Sequence, residues 1–296
     1  VPMAPWSIPA HVRYAVRTSG ARGIVARTPL LATVFDGHEE IRPDVTVTVG
    51  DPDPPRGVLP WEIVEAGPGD VPDPPDPKVD HLALIVYTSG TTSRPKAVVH
   101  TQDRMARRAA AFAEEVGLTA ADVSFVAHMI SRPLALLAQV IAVLNVGGRV
   151  MLHDGVAKNF WTGYAAGPPK TFVVTIPAVA AEVLADPAAA AADHSHLRLW
   201  VAGGDSVPGP LQAKFQAATG KNLIEMCGMT EAGFYAINPT RGPVRVGSIG
   251  REMKGVAVRI VDAAGRDVPP GEVGEMLLKT AEVMVGYWND TAETFR

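Results

Sequence analysis

The chain has 296 residues, enough for roughly two domains or one large α/β unit with a full hydrophobic core. Apolar residues make up 47% and charged residues 20%, which excludes a wholly disordered chain. Lys and Arg number 27 against 31 Asp and Glu, and the resulting net charge of −4 gives no electrostatic reason to expect a nucleic-acid or acidic-membrane partner.

The opening residues, from Val1, carry neither a signal-peptide pattern nor an Arg-rich amphipathic one, and the chain is expected to be a piece of a longer protein. Residues 1–50 mix short apolar runs, notably 23–26 and 45–49, with turn residues, and predict short strands and loops of a partial N-terminal subdomain. Residues 51–80 are dense in Pro and Asp without a helical or strand period, and read as a surface connector. From residue 81 to about 240, apolar runs alternate with helix-like segments. Strands are predicted at 82–87, 97–100, 123–127, 149–153, 171–175, 197–202 and 222–226. Helices are predicted from a Thr101 cap to about 116, and at 134–146, 177–185 and 208–219. The apolar stretch 134–144 is interrupted by Gln139 and is too short to span a bilayer, so it reads as a buried helix. Residues 241–296 change texture to short β segments, predicting a small β-rich subdomain near the C-terminal end. The fold class is therefore α/β, with layered, mostly parallel sheets flanked by helices and ligands at the carboxyl ends of the strands. The single cysteine, Cys227, excludes an intramolecular disulfide and a Cys-rich zinc site, and a cytoplasmic location is expected. His194 and His196 adjoin the Ala-rich helix end 188–192 and have no nearby Cys, and they read as a solvated loop rather than metal ligands.

The segment Tyr87-Thr-Ser-Gly-Thr-Thr-Ser-Arg-Pro-Lys96 concentrates chemistry. Hydroxyls of Thr88, Ser89, Thr91, Thr92 and Ser93 flank Gly90, whose missing Cβ lets main-chain N–H groups approach a ligand, and Lys96 adds a positive charge. A Walker-A ending is absent. In residue order the segment resembles the phosphate loop of the adenylate-forming (AMP-binding) superfamily, which includes acyl-CoA synthetases, luciferases and peptide-synthetase adenylation domains. Gly203-Gly204-Asp205 resembles that family's adenine-holding turn, and Glu225-Met-Cys-Gly-Met-Thr-Glu231 its Tyr-Gly-x-Thr-Glu motif.

That resemblance implies the site. Thr88, Ser89, Gly90, Thr91, Thr92 and Lys96 would hold ATP phosphates. Gly203, Gly204, Asp205, Met226, Cys227 and Gly228 would hold the nucleotide. Thr230 would contact the α-phosphate and Glu231 would bind Mg²⁺, so that Lys96, Thr230 and Glu231 form the catalytic set. His128, with Met129 and Ala202, would wall the acyl pocket. In amino-acid-activating relatives an Asp beside the His128 position pairs with the substrate ammonium; Ala127, Met129 and Ile130 stand here, which implies an apolar carboxylic acid. The implied reaction forms acyl-AMP from ATP and passes the acyl group to CoA or a carrier-protein thiol. Alternatives are a relative that only transfers an acyl group from acyl-AMP to a thiol, and a noncatalytic nucleotide- or acyl-binding module.

Three departures from the family pattern bear on activity. Ser93 and Ala97 replace glycines, and if Ser93 must adopt a positive φ, loop strain of ~1–2 kcal/mol or a shifted loop follows. Cys227 replaces the aromatic that stacks on adenine. The sequence stops before the family's ribose-binding Asp and its small C-terminal domain with the catalytic Lys, so the isolated chain is expected to adenylate poorly.

Overall fold

The computed structural model describes residues 1–4, 7–67, 76, 78–88, 95–154 and 157–295. Its strands in chain order are β1 (Gly23–Ala26), β2 (Val45–Thr48), β3 (Leu59–Pro60), β4 (Leu82–Thr88), β5 (Lys96–Thr101), β6 (Val123–Val126), β7 (Arg149–Leu152) and β8 (Phe172–Thr175). They continue with β9 (Leu199–Gly203), β10 (Leu223–Met229), β11 (Gly233–Ile237), β12 (Arg251–Glu252), β13 (Ala257–Val261), β14 (Glu275–Lys279) and β15 (Gly286–Tyr287).

The central layer is a seven-stranded sheet in the order β12-β11-β10-β9-β8-β6-β7. Its β10-β9-β8-β6-β7 run is parallel, as the strand–helix alternation predicts, while β11 and β12 add antiparallel. β8 and β9 are buried along their whole length, and their near-continuous apolar sequences fit a sheet covered on both faces. Successive side chains leave on opposite faces: Phe172, Val174, Leu199 and Val201 enter a core with Phe112 and Leu137, whereas Val173, Trp200 and Ala202 enter one with Phe160 and Phe215. The helix Gln102–Val116 supplies the first cover. Thr101 Oγ1 caps it by accepting from Arg104 N at 3.4 Å, and Gly117 closes it at φ +62°. The apolar stretch around Gln139 is helical, as expected, with a π turn at Leu136–Ile141; buried Gln139 donates from Nε2 to Phe125 O at 2.7 Å.

Several elements differ from the sequence reading. Residues 1–50 hold two helices, Pro9–Ser19 and Thr28–Phe35, beside the expected strands. Val12 and Ala15 of the first and Leu31, Val34 and Phe35 of the second are buried, so helical spacing rather than run length was the informative signal. The connector contains β3, paired parallel with β2, and a short helix, Trp61–Ala66; residues 68–75 and 77 of it lie outside the described residues. β10 runs on to Met229, past the predicted end, and turns into β11 as a hairpin with a register shift between Cys227 and Gly228. Toward the C-terminal end, β13 and β14 form the expected hairpin, while β12 joins the central sheet and β15 pairs with β5.

A polar cluster ties together the amino ends of β6, β8 and β9, opposite the strand ends expected to bind ligand. Buried Asp122 accepts from Arg198 Nε and Nη2 at 3.1 Å, from Thr171 Oγ1 at 2.7 Å and from Thr119 N at 2.9 Å, while Arg198 Nη1 donates to Val116 O. Burial alone would raise this carboxyl, but the bonds from Arg198, Thr171 and Thr119 outweigh it and hold the acid below its ordinary value. Its stabilising contribution is therefore complete above about pH 4, the unfolded carboxyl's range, and is lost as pH falls through the folded value. Asp122→Ala is expected to cost about 1.5–3 kcal/mol at pH 7, read as a lower urea midpoint, and the gap from the parent should close toward pH 2. A gap of equal size at both pH values would show that the charge does not carry the effect.

Candidate active site

Four parallel strands deliver the site. A cavity of about 390 Å³ opens at the carboxyl ends of β6, β8, β9 and β10, lined among others by His128, Ile176, Gly204 and the turn Gly228–Thr230. His128 and Met129 follow β6, Gly204 follows β9, and Thr230 follows β10, so the predicted acyl and nucleotide segments converge on one space. Ala202 does not line it; this residue is fully buried in the core beneath β9. Gly203, Asp205, Cys227 and Glu231 border the lining residues in sequence without lining the cavity themselves. Leu134, Ile176, Met229 and Phe234 complete an apolar wall that the sequence reading did not assign, and Arg132 stands exposed at the same cavity.

His128 is 8% exposed, with Nδ1 unpartnered. Burial first, and the Arg132 charge second, hold its imidazole below the usual histidine range, so it is neutral near pH 7. The glycine turn is built for close packing. A Cβ on Gly203 would stand 2.8 Å from Met226 O, across the β9–β10 ladder, and Gly204 takes φ +88°. Met226 is buried beneath this turn, and Asp205 is exposed, its Oδ1 accepting from Ser206 N. Buried Glu225 braces the far end of the same turn by accepting from Val207 N at 3.2 Å.

Thr230 and Glu231 sit on the tight turn between β10 and β11. Tyr287, on β15, donates its hydroxyl to Glu231 Oε1 at 3.0 Å. Burial and then its hydrogen bond to the Glu231 carboxylate push that phenol up to about 12, which keeps it a donor. Lys96 pairs with Glu293 and lies 5.2 Å from the centre of the Tyr287 ring. β4 and β5 set Thr88 directly opposite Lys96, fixing the two ends of the hydroxyl-rich loop; its residues Ser89, Gly90, Thr91, Thr92 and Ser93 lie outside the described residues. Ala97 is an ordinary paired strand residue opposite Tyr87, so its replacement of glycine brings no positive φ. Cys227 Sγ meets Tyr235 Oη at 2.8 Å.

Arg108 and Tyr287 escaped the sequence reading. Arg108 interrupts the apolar stripe of its helix, next to Ala109 and between Met105 and Phe112, a signal of a buried charge with a task. His194 is also corrected: it is buried, faces the Trp161 ring edge-on at 5.5 Å and bonds through Nε2 with Ala189 O, while His196 is exposed.

Among the described residues no group of three His, Cys, Asp or Glu side chains could hold a metal ion, and Mg²⁺ commonly takes one or two carboxylates with the rest of its shell from phosphates and water. Glu231, bonded to the Tyr287 hydroxyl, is one carboxylate on the turn that follows β10. Among the described residues no helix is long and apolar enough to cross a membrane.

The family described as AMP-binding enzyme matches residues 1–288, and the chain belongs to it. The chain is 32% identical over 284 residues to a sulfoacetate–CoA ligase of Cupriavidus necator, covering 95% of this chain and 54% of that one. It is 31% identical over 231 residues to a feruloyl-CoA synthase of an Amycolatopsis species, covering 76% and 47%. It is also 31% identical over 266 residues to an indoleacetate–CoA ligase of Aromatoleum aromaticum, covering 88% and 52%. The chain thus spans about half the length of the curated relatives it matches. The fold is that of an anthranilate CoA ligase solved with anthranoyl-AMP, at TM-score 0.90 and 24% identity over 99% of this chain and 57% of the other.

Proposed function

We propose that the chain carries the nucleotide- and acyl-binding machinery of an ATP-dependent ligase that converts an apolar carboxylic acid to acyl-AMP and passes the acyl group to CoA or a carrier thiol. The observation that carries this reading is the single cavity in which His128 and Met129 meet the nucleotide-type turns at Gly204 and Gly228–Thr230. A carboxylate is a weak nucleophile and phosphorus a shielded electrophile, so the reaction needs alignment and charge neutralisation above all. Thr230 would donate to a phosphate oxygen, and Lys96 would bring a cation to the phosphate loop. Glu231 would hold Mg²⁺, which when bound supplies Lewis-acid neutralisation at the α-phosphate. The apolar wall and the neutral His128 would face the acyl group, with Arg132 the one charged side chain among the described residues lining the cavity.

The relatives named for feruloyl and indoleacetate substrates support an aromatic or otherwise apolar acid, whereas sulfoacetate carries a second anion. None of the described residues lining the cavity is acidic, so the ammonium of an α-amino acid would be buried without a partner. In the whole gene product, ATP-dependent hydroxamate formation is expected to favour an apolar acid over its α-amino counterpart by at least ~10-fold, or ~1.4 kcal/mol. Preference for the amino acid would refute the substrate class. Absence of pyrophosphate exchange with any acid, alongside thiol transfer from supplied acyl-AMP, would favour the transfer-only reading. That second reading draws on Cys227, whose sulfur bonds to Tyr235 and offers adenine no aromatic face.

A further inference from the structure

We propose that Arg108 is a positioning residue for the Thr230–Glu231 turn, setting the metal-dependent part of nucleotide affinity without touching the nucleotide. The inference rests on the nucleotide-binding reading above. Arg108 rises from the helix Gln102–Val116 and is 1% exposed. Its Nη1 donates to Thr230 O at 3.2 Å and its Nη2 to Glu231 O at 3.3 Å, so the two residues expected to meet phosphate and metal are held by their own carbonyls.

The same guanidinium reaches a second segment. Nε and Nη2 both donate to Glu282 O, at 3.0 and 2.6 Å, and two residues further on Met284 N donates to Glu231 O. That segment leads into β15, where Tyr287 presents its hydroxyl to the Glu231 carboxylate. One side chain therefore fixes Glu231 twice, through its main chain and through the strand that orients its carboxylate. The fit beneath the turn is close: a Cβ on Gly233, which has φ +84°, would stand 3.1 Å from Arg108 Nε.

Electrostatics point the same way. Arg108 hydrogen-bonds to carbonyls and to the Nε2 of His100, to which Nη1 donates at 3.3 Å, while the Glu282 and Glu231 charges favour its cation only from a distance and burial dominates. Burying a cation this way is costly, and an apolar side chain would pack the stripe more cheaply. What the guanidinium adds is a rigid fork for several carbonyls and a positive potential behind an anion site.

The test compares the parent with Arg108→Lys and Arg108→Met in the whole gene product, using calorimetric ATP binding with Mg²⁺ and with EDTA. The readout is the ratio of the two dissociation constants. The parent should bind ATP more tightly with Mg²⁺. Both variants are expected to lose about 10- to 100-fold of that metal-dependent tightening, the range seen when groups supporting a metal ligand are removed, with metal-free binding by Arg108→Lys within about threefold of the parent. An unchanged ratio, or equal loss with and without metal, overturns the proposal. So does failure of both variants to fold, because Arg108 would then be a requirement of the fold rather than of the turn. If the parent itself binds no ATP, the nucleotide reading fails first, an outcome separate from an unchanged ratio in a parent that binds.

Discussion

Glu231→Gln is expected to lower acyl-adenylate formation by about 10²–10³-fold, the loss typical when one preorganised charge-stabilising group is removed from a reaction centre. Glutamine keeps the length of the side chain and an oxygen able to accept from the Tyr287 hydroxyl, so the hairpin turn should persist. What disappears is the negative charge that would complement Mg²⁺. The sign of the metal-free effect separates this role from a structural one. Without Mg²⁺, a carboxylate beside phosphates repels them, and its neutralisation should leave ATP binding unchanged or slightly tighter. Pyrophosphate exchange with saturating acid, together with ATP titrations in Mg²⁺ and in EDTA, would measure both. A variant that retains a third of the activity, or that weakens equally in both titrations, would remove Glu231 from the metal.

The parallel core was legible because β8 and β9 are short and almost wholly apolar, and because Thr101 and Gly117 punctuate the long helix. The resemblance set the Gly203 turn and Glu231 just beyond β9 and β10, beside the cavity, whereas Lys96 opens β5 and does not line it. The hairpin carrying Thr230 and Glu231 was not legible. Its strands straddle a register shift at Gly228, so the period of two breaks within the motif itself. β3 escaped for another reason: two residues ending in Pro60 can pair only because they lie at a sheet edge. Tyr287 was hidden by distance, since only the pairing of β15 with β5 brings it beside Lys96 and Glu231. Composition could not reveal Ala202 as core rather than pocket, because an alanine at a strand end suits either.

Lys96→Met is expected to reduce ATP-dependent activity by a similar factor of about 10²–10³, and the companion change Glu293→Gln to act in the opposite direction on ATP affinity. Lys96 holds two relationships that a bound phosphate would have to share: its ion pair with Glu293 and its place over the Tyr287 ring. Methionine retains much of the stem and its packing but deletes the charge, so phosphate attraction falls while β5 keeps its register with Thr88. Glutamine at 293 removes the competing anion and leaves Lys96 cationic. Ion pairs of this partly exposed kind contribute up to ~1 kcal/mol, so ATP should bind about two- to fivefold more tightly in Glu293→Gln. In the double variant the gain should vanish, because nothing remains for the anion to hold back. If Glu293→Gln instead weakens ATP binding in the parent background, the pair would be arming Lys96 for phosphate rather than competing with it. The order of affinities among these four proteins therefore decides whether the Lys96–Glu293 bond belongs to a resting state or to the working one.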